Sequence, residues 1–237
     1  MSGVSVALVT GSSRGIGKGI AEHFLRQGYK VAGCSRGPSS TQNNDYVHSL
    51  VDVGDDRQVR EWVKSVENSF GKIDVVVNNA GLYQASHVLL TPTDTVESTL
   101  RTNFLGPFTV CRESARTMMK QKIGRIINIS SIAVTLSSEG TSAYTASKCA
   151  LIGFSKVLAK ELSSFGITCN VVDLSIAETD ISTGLSEEII EHVMKNLTIK
   201  RYATIEDICN AVSFFASPSS GYITGQVLRL GFVEPSL

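Results

Sequence analysis

Neither sign of charge prevails in this sequence: 22 Lys and Arg stand against 22 Asp and Glu over 237 residues. A balanced chain offers no electrostatic footprint for nucleic acid or an anionic membrane surface. No apolar run is long enough to span a bilayer. The opening M-S-G-V-S-V-A-L-V-T-G has no basic stretch ahead of its apolar run, so it reads as a first strand and not as a secretory leader. Cysteine is sparse and unpatterned. Cys34, Cys111, Cys149, Cys169 and Cys209 are odd in number and far apart, and no C-x-x-C occurs. That excludes a disulfide framework and a zinc site, so no metal is expected, and reduced thiols suit the cytoplasm. Repeats, low-complexity tracts and linkers are missing too, and a chain of this length suits one domain.

What is present is a regular alternation. Strand candidates are Val4–Val9, Lys30–Cys34, Val47–Val51, Ile73–Val77, Arg125–Ile129, Thr168–Val172 and Gln226–Leu230. Several, such as V-A-L-V and D-V-V-V, are apolar on both faces, as parallel strands covered by helices are. Between them lie helical stretches: Lys18–Gln27, Asp55–Phe70, a long region from about Thr93 to Lys122, Ser142–Ser164, Glu187–Asn196 and Ile205–Ala216. Gly106-Pro107 is expected to bend the long one, because proline removes an amide donor. The pattern predicts an α/β fold: a doubly wound parallel sheet of the Rossmann type, seven strands, helices on both faces, one domain.

The first strand runs into T-G-S-S-R-G-I-G, Thr10 to Gly17. Glycines at 11, 15 and 17 permit a tight turn and close backbone approach to a pyrophosphate. The helix that follows offers free N–H groups and a positive dipole end. Placed between strand and helix, the motif predicts a dinucleotide site that includes Gly11, Ser13, Arg14, Gly15, Ile16 and Gly17. An acidic residue about 20 positions beyond such a turn grips the ribose 2′-hydroxyl of NAD. Here Arg36 takes that place, and the next carboxylate is Asp45. With Arg14 it forms a pair of guanidiniums suited to a 2′-phosphate, which predicts NADP(H).

A second constellation is S-A-Y-T-A-S-K at 142–148. Tyr144 and Lys148 share a helix face at i and i+4. A free phenol titrates near ~10, and a neighbouring ammonium is expected to lower that. Ser131 ends the fifth strand, and carboxyl ends of parallel strands point at the ligand crevice. Ser130 beside it is expected to face the other way. A ketone reduced by a nicotinamide needs a proton on oxygen and stabilisation of the developing alkoxide, and these side chains can supply both.

Taken in order, T-G-S-S-R-G-I-G, Asp52-Val53, N-N-A-G at 78–81, Asn103, Ser131 and Y-T-A-S-K at 144–148 resemble the short-chain dehydrogenase/reductase family over nearly the whole chain. G-R-I-I-N-I-S-S, A-L-I-G-F-S-K and Y-I-T-G-Q are most similar to its 3-oxoacyl-(acyl-carrier-protein) reductases, enzymes of fatty acid biosynthesis. The resemblance implies Tyr144 as acid/base, Lys148 on the phenol and the nicotinamide ribose, and Ser131 on the carbonyl. It implies that Asn103 holds a water in the proton path and that Asp52 and Val53 sit at the adenine. It also implies that Asn79, Ala80 and Gly81 shape the cofactor side of the fourth strand, and that the protein is a homotetramer built on its two long helices.

The sequence departs from the family at two places. Where the family runs N-x-V-x-P-G-x-I-x-T, residues 170–179 read N-V-V-D-L-S-I-A-E-T, with Asp173 added, Leu174 and Ser175 replacing Pro-Gly, and Thr179 kept for its contact near the nicotinamide. The usual N-G-G near the end is L-G-F at 230–232. Residues 176–200 are expected to form a substrate lid, with Ile189, Ile190, Val193 and Met194 as an apolar stripe and His192 toward solvent. Arg112, Arg116, Lys120, Lys122 and Arg125 form a basic row that could dock an acyl carrier protein or simply be a solvated helix face. Three readings follow: a 3-oxoacyl thioester reductase, a reductase or dehydrogenase of another small ketone or alcohol, and a catalytically silent NADP-binding scaffold or sensor.

Overall fold

The computed structural model describes residues 4–177 and 187–233. Its strands are β1 (Val6–Thr10), β2 (Lys30–Ser35), β3 (Tyr46–Leu50), β4 (Val75–Asn78), β5 (Gly124–Ser131), β6 (Ile167–Leu174) and β7 (Val227–Leu230). They form one seven-stranded sheet, ordered β3-β2-β1-β4-β5-β6-β7. Every pairing in it is parallel. The helices are α1 (Gly15–Arg26), α2 (Asp56–Phe70), α3 (Thr93–Leu100), α4 (Gly106–Gln121), a single turn α5 (Ala133–Leu136), α6 (Ser142–Leu162), α7 (Glu187–Asn196) and α8 (Ile205–Ala216). Among the described residues no helix is long and apolar enough to cross a membrane.

Strand alternation divides the core in two. Leu8, Val76, Ile126 and Cys169 face α2, α4 and α6, where they meet Trp62, Met118 and Leu158. Val9, Val77, Ile127 and Val172 face α1 and α8, where they meet Ile20, Phe24, Ile208 and Phe215. Each large aliphatic or aromatic side chain removed from water contributes ~1.5–3 kcal/mol. The chain leaves β1 toward β2 on one side and returns at β4 on the other, so the carboxyl ends of β1 and β4 flank the crevice where ligands bind in such sheets. Local signals place the ends of the elements. Asp55 caps α2 by accepting from the N–H groups of Arg57 and Gln58, and Gly71 ends it at φ 72°.

The helical region expected between Thr93 and Lys122 runs unbroken from Thr93 to Gln121 but is not α-helical throughout. It is α3, a π-helical segment at Arg101–Leu105, and α4 with Pro107 in its first turn. The wider π turn absorbs the donor that proline lacks, and such segments occur at functional positions. Asn103 sits within it, fully buried. Its Oδ1 accepts from the Leu82 N–H at 2.7 Å, and its Nδ2 donates to the Leu82 carbonyl at 2.9 Å and to Ser147 Oγ at 3.0 Å. Asn103 therefore ties the segment after β4 to α6. Asn103→Ala is expected to leave these groups unpaired in the interior and to cost about 3 kcal/mol of stability, read from the urea midpoint at constant slope.

Candidate active site

Two cavities adjoin at the carboxyl ends of the central strands. The larger is a cleft of about 770 Å³ lined by Gly11, Ser13, Arg14, Gly15, Ile16 and Gly17, and by Arg36, Asp52, Val53, Asn79, Ala80 and Gly81. Tyr144 and Lys148 line the second cavity. Of the expected cofactor residues only Thr179 lies outside the described residues.

The cleft floor exists because side chains are missing. A Cβ on Gly17 would overlap the carbonyl oxygen of Gly11, and one on Gly11 would stand 2.9 Å from Ala80 Cα. Gly11 also holds φ 70°, a conformation that other residues reach only under strain. The Gly11 and Ser12 N–H groups donate to the Cys34 carbonyl at 2.8 and 3.1 Å, which fixes the turn on β2. Helix α1 begins at Gly15, three residues before the expected Lys18. The N–H groups of its first turn have no partner within the helix and suit an anion. Thr10, which the sequence reading did not single out, joins β4 to this turn. Its Oγ1 accepts from the N–H groups of Asn79 and Ala80, both at 3.0 Å, and Asn79 Nδ2 donates to the Thr10 carbonyl at 3.0 Å. Asp52 is held in shape, its Oδ1 accepting from the Gly54 N–H at 2.9 Å.

The second cavity, about 190 Å³, is walled by Ser131, Tyr144, Ile132, Leu136, Leu174, Ile176, Ile189 and Val193. It shares Ile16, Asn79, Gly81 and Tyr83 with the cleft. Tyr83 was also missed; its only sequence signal is an aromatic residue two positions past N-N-A-G. Its ring meets that of Tyr144 edge-on at 4.9 Å. Ser130, buried, borders the same cavity as the half-exposed Ser131, so it is not turned away from the site as alternation along β5 suggests.

The proton chemistry differs from the expectation in one respect. Tyr144 is half-buried with its edge on the cavity. Burial of its phenol head pushes it up to about 12, Ser131 pulls it down, and Tyr83 and the Asp173 carboxylate push it up again. Lys148 is not among the groups that move it. The ammonium lies 5.8 Å from the Tyr144 ring centre and donates to the Ile129 carbonyl at 2.8 Å. Lys148 is itself buried, which brings it down to about 8, against the opposing pull of Asp173. Desolvation thus outweighs the i,i+4 attraction on which the expected lowering rested.

The departures at 173–175 and 230–232 now have a physical account. Leu174 has the N–H that proline lacks, so β6 continues to the height of Ser131 and pairs Leu174 with both Ser131 and Leu230. Asp173 is 1% exposed, with Arg229 Nε at 3.9 Å. Phe232 is buried with Ile132, Ile176, Val193 and Leu197, and Ile189, Ile190 and Met194 pack on the same cluster. The apolar stripe of α7 therefore lies over the cavity, and His192 is exposed as expected.

The basic row does not form a free docking strip. Arg112 pairs with Asp56 at 2.8 Å and with Glu113 at 2.7 Å, Arg116 with Glu113 at 2.9 Å, and Lys120 with Glu67 at 3.1 Å. Arg125 is buried, donating to the carbonyls of Ser217, Gly124 and Pro218. Only Lys122, exposed at the left-handed end of α4, retains the character expected of the row.

The buried lysine predicts a linkage. Between pH 10.5 and about 8 the unfolded chain binds the Lys148 proton more tightly than the folded one, so the native state loses stability as pH falls through that window. Lys148→Met removes the effect. Relative to wild type, the variant should gain on the order of 2 kcal/mol on going from pH 10.5 to pH 7.5 in denaturant unfolding. A difference independent of pH would show that the ammonium is not desolvated.

Comparison with known proteins agrees with this geometry. A family model described as Enoyl-(Acyl carrier protein) reductase matches residues 11–230. The 3-oxoacyl-[acyl-carrier-protein] reductases FabG of Salmonella typhimurium and Escherichia coli are each 36% identical over 231 residues, 95% of this chain and 95% of theirs. The crystal structure of a proposed gluconate dehydrogenase from Agrobacterium tumefaciens matches with a TM-score of 0.90 at 25% identity, over 97% of this chain and 95% of that one. With the match running from the glycine turn to the last strand, this chain belongs to the short-chain dehydrogenase/reductase family, oxidoreductases acting on CH–OH and C=O groups.

Proposed function

We propose that the chain reduces the ketone of a 3-oxoacyl thioester to a secondary alcohol with NADPH. One observation carries the reading. The hydroxyls of Ser131 and Tyr144 stand on the wall of an apolar cavity that opens into the glycine-floored cleft at Asn79, Gly81 and Tyr83.

The cleft fits a dinucleotide: its floor admits no Cβ, and Arg14 and Arg36 both line it. Bound there, the cofactor supplies the hydride. Gly15, Ile16 and Gly17 would bring backbone N–H groups to the pyrophosphate, the Gly11 N–H being taken by the Cys34 carbonyl, and Arg36 with Arg14 would hold the 2′-phosphate. Asp52 and Val53 take the adenine end. Ser131 and Tyr144 donate to the carbonyl oxygen and polarise it. A phenol held at about 12 is protonated near neutrality, so Tyr144 is ready to donate. When it has done so, Ser131, the group that lowers the phenol, stabilises the phenolate, and Lys148, held on the Ile129 carbonyl, is placed to hold the nicotinamide ribose. The side chain of Asn103 is taken up by Leu82 and Ser147, which leaves its main chain, in the loosened π turn, to anchor the proton-path water.

The lining favours an acyl chain over a sugar acid. Among the described residues its only cation is Lys148, already bonded to Ile129, and Glu139 stands at the wall, so the carboxylate of a sugar acid would be poorly matched there. The small size of the cavity, about 190 Å³, favours a second reading in which the substrate is a short ketone. Because the α4 cations are paired, thioester carriage by an acyl carrier protein rests on likeness to the named relatives. Parallel assays on acyl-carrier, acyl-CoA and small ketone substrates decide among these, and absence of turnover with all of them would favour the silent scaffold. A homotetramer is supported by exposed apolar side chains on the π segment, α4 and α6, where Leu105, Phe108 and Val157 are 49%, 37% and 54% exposed. Of the expected lid 176–200, α7 lines the cavity as a cover, while residues 178–186 lie outside the described residues.

Two variants test the chemistry. Tyr144→Phe should cost at least ~10³-fold in kcat while NADPH fluorescence titration still shows binding; more than a few per cent of residual activity would remove the tyrosine from its role. Arg36→Asp should raise KM for NADPH by roughly 100-fold and leave that for NADH within about threefold. Equal changes for both cofactors would refute the 2′-phosphate assignment.

A further inference from the structure

The crossover from β2 to β3 is unusual for a parallel pair. Residues 36–45 contain no helix, although parallel strands are ordinarily joined by a longer, helical connection. This bare segment begins with Arg36 and Gly37, which form one wall of the cleft. On the α1 side it is tethered by two surface contacts, Lys18 Nζ to Ser40 Oγ at 2.9 Å and Thr41 Oγ1 to Glu22 at 3.4 Å.

Inside the molecule a chain of hydrogen bonds does what a helix would otherwise do. Tyr46 and His48 lie two apart on β3 and so share a face. Tyr46 reaches across β2 at Gly33, where a Cβ would overlap both the phenol oxygen and Ser12 Oγ. The phenol oxygen lies 2.9 Å from Ser12 Oγ in the glycine turn and 2.9 Å from His48 Nδ1. His48 Nε2 lies 3.0 Å from the Gly37 carbonyl and 3.1 Å from Ser35 Oγ, and Ser35 donates to the same carbonyl at 2.7 Å. A carbonyl only accepts, so Nε2 carries the imidazole proton and Nδ1 accepts from Tyr46. Tyr46 in turn accepts from Ser12. Every member of the chain has a defined direction, from the fully buried Ser12 to the turn that carries Arg36.

We propose that Tyr46 and His48 are positioning residues for cofactor selection: a hydrogen-bonded strut that holds the Arg36 turn at a set distance from the glycine turn, so that the cleft accepts a 2′-phosphorylated dinucleotide. Neither residue lines the cleft. They act through Gly37 and Ser12, and Gly33 is the glycine that makes room for them. The inference rests on the reading of Arg36 as the 2′-phosphate ligand.

The test is a KM comparison for NADPH and NADH with wild type, Arg36→Ala, His48→Ala, His48→Gln and Tyr46→Phe, using whichever ketone turns over. His48→Ala and Tyr46→Phe should each raise KM for NADPH roughly tenfold, leave that for NADH within about twofold, and leave kcat within about twofold. His48→Gln keeps an N–H at similar reach to the Gly37 carbonyl and should return to within about threefold of wild type. If Arg36→Ala shifts the NADPH preference while His48→Ala and Tyr46→Phe do not, the strut alone is overturned. If His48→Ala raises both constants equally, or glutamine rescues nothing, the residues serve the fold and not selection. If Arg36→Ala itself leaves the preference unchanged, the Arg36 reading fails and the strut's role in selection fails with it.

Discussion

The site depends on one backbone contact, the close passage of Gly17 over the carbonyl of Gly11. No side chain larger than hydrogen fits there, so the turn after β1 closes tightly and α1 starts early, its first N–H groups brought to the cleft floor. Thr10 and Asn79 then hang the end of β4 on that turn through side-chain hydrogen bonds. Gly81 and Tyr83, where the two cavities meet, are placed by the same attachment. The crevice is a consequence of strand order, but its shape follows from this contact.

Burial, more than charge pairing, sets the chemistry beside it. A tyrosine and a lysine one turn apart suggest mutual tuning, yet the interior acts on each separately. The phenol is held protonated and the lysine is lowered to about 8, so that it remains largely charged at neutral pH. Both shifts disfavour the charged form, as removal from water does. Asp173, at a position the family pattern leaves open, opposes the lysine's loss of charge and adds to the phenol's rise. The same strand carries Leu174 in place of proline, which lets β6 run on and form the cavity wall. What looks like a defect in a motif is thus a change in the end of a strand.

Much of this was legible in the order of residues. Glycine positions between a strand and a helix, Arg36 where a carboxylate is usual, and Ser131 with Tyr144 and Lys148 all lie on the walls of the two cavities. These features are readable because they depend on local geometry: a turn without side chains, a helix face, the end of a strand. Tyr83, Thr10 and the Ser12–Tyr46–His48 chain were not. Their partners are distant in sequence, and a tyrosine at the start of an edge strand carries no mark of reaching a turn over thirty residues away.

By itself the sequence determined the order of strands and helices, the glycine turn and the candidate proton-handling groups, since each follows from spacing along the chain. Only the tertiary structure decided the protonation of Tyr144 and Lys148, the pairing of the α4 cations with Asp56, Glu113 and Glu67, and the apolar cover that α7 and Phe232 give the cavity. Desolvation and ion pairing depend on what surrounds a group in space, and that is set when distant segments pack together.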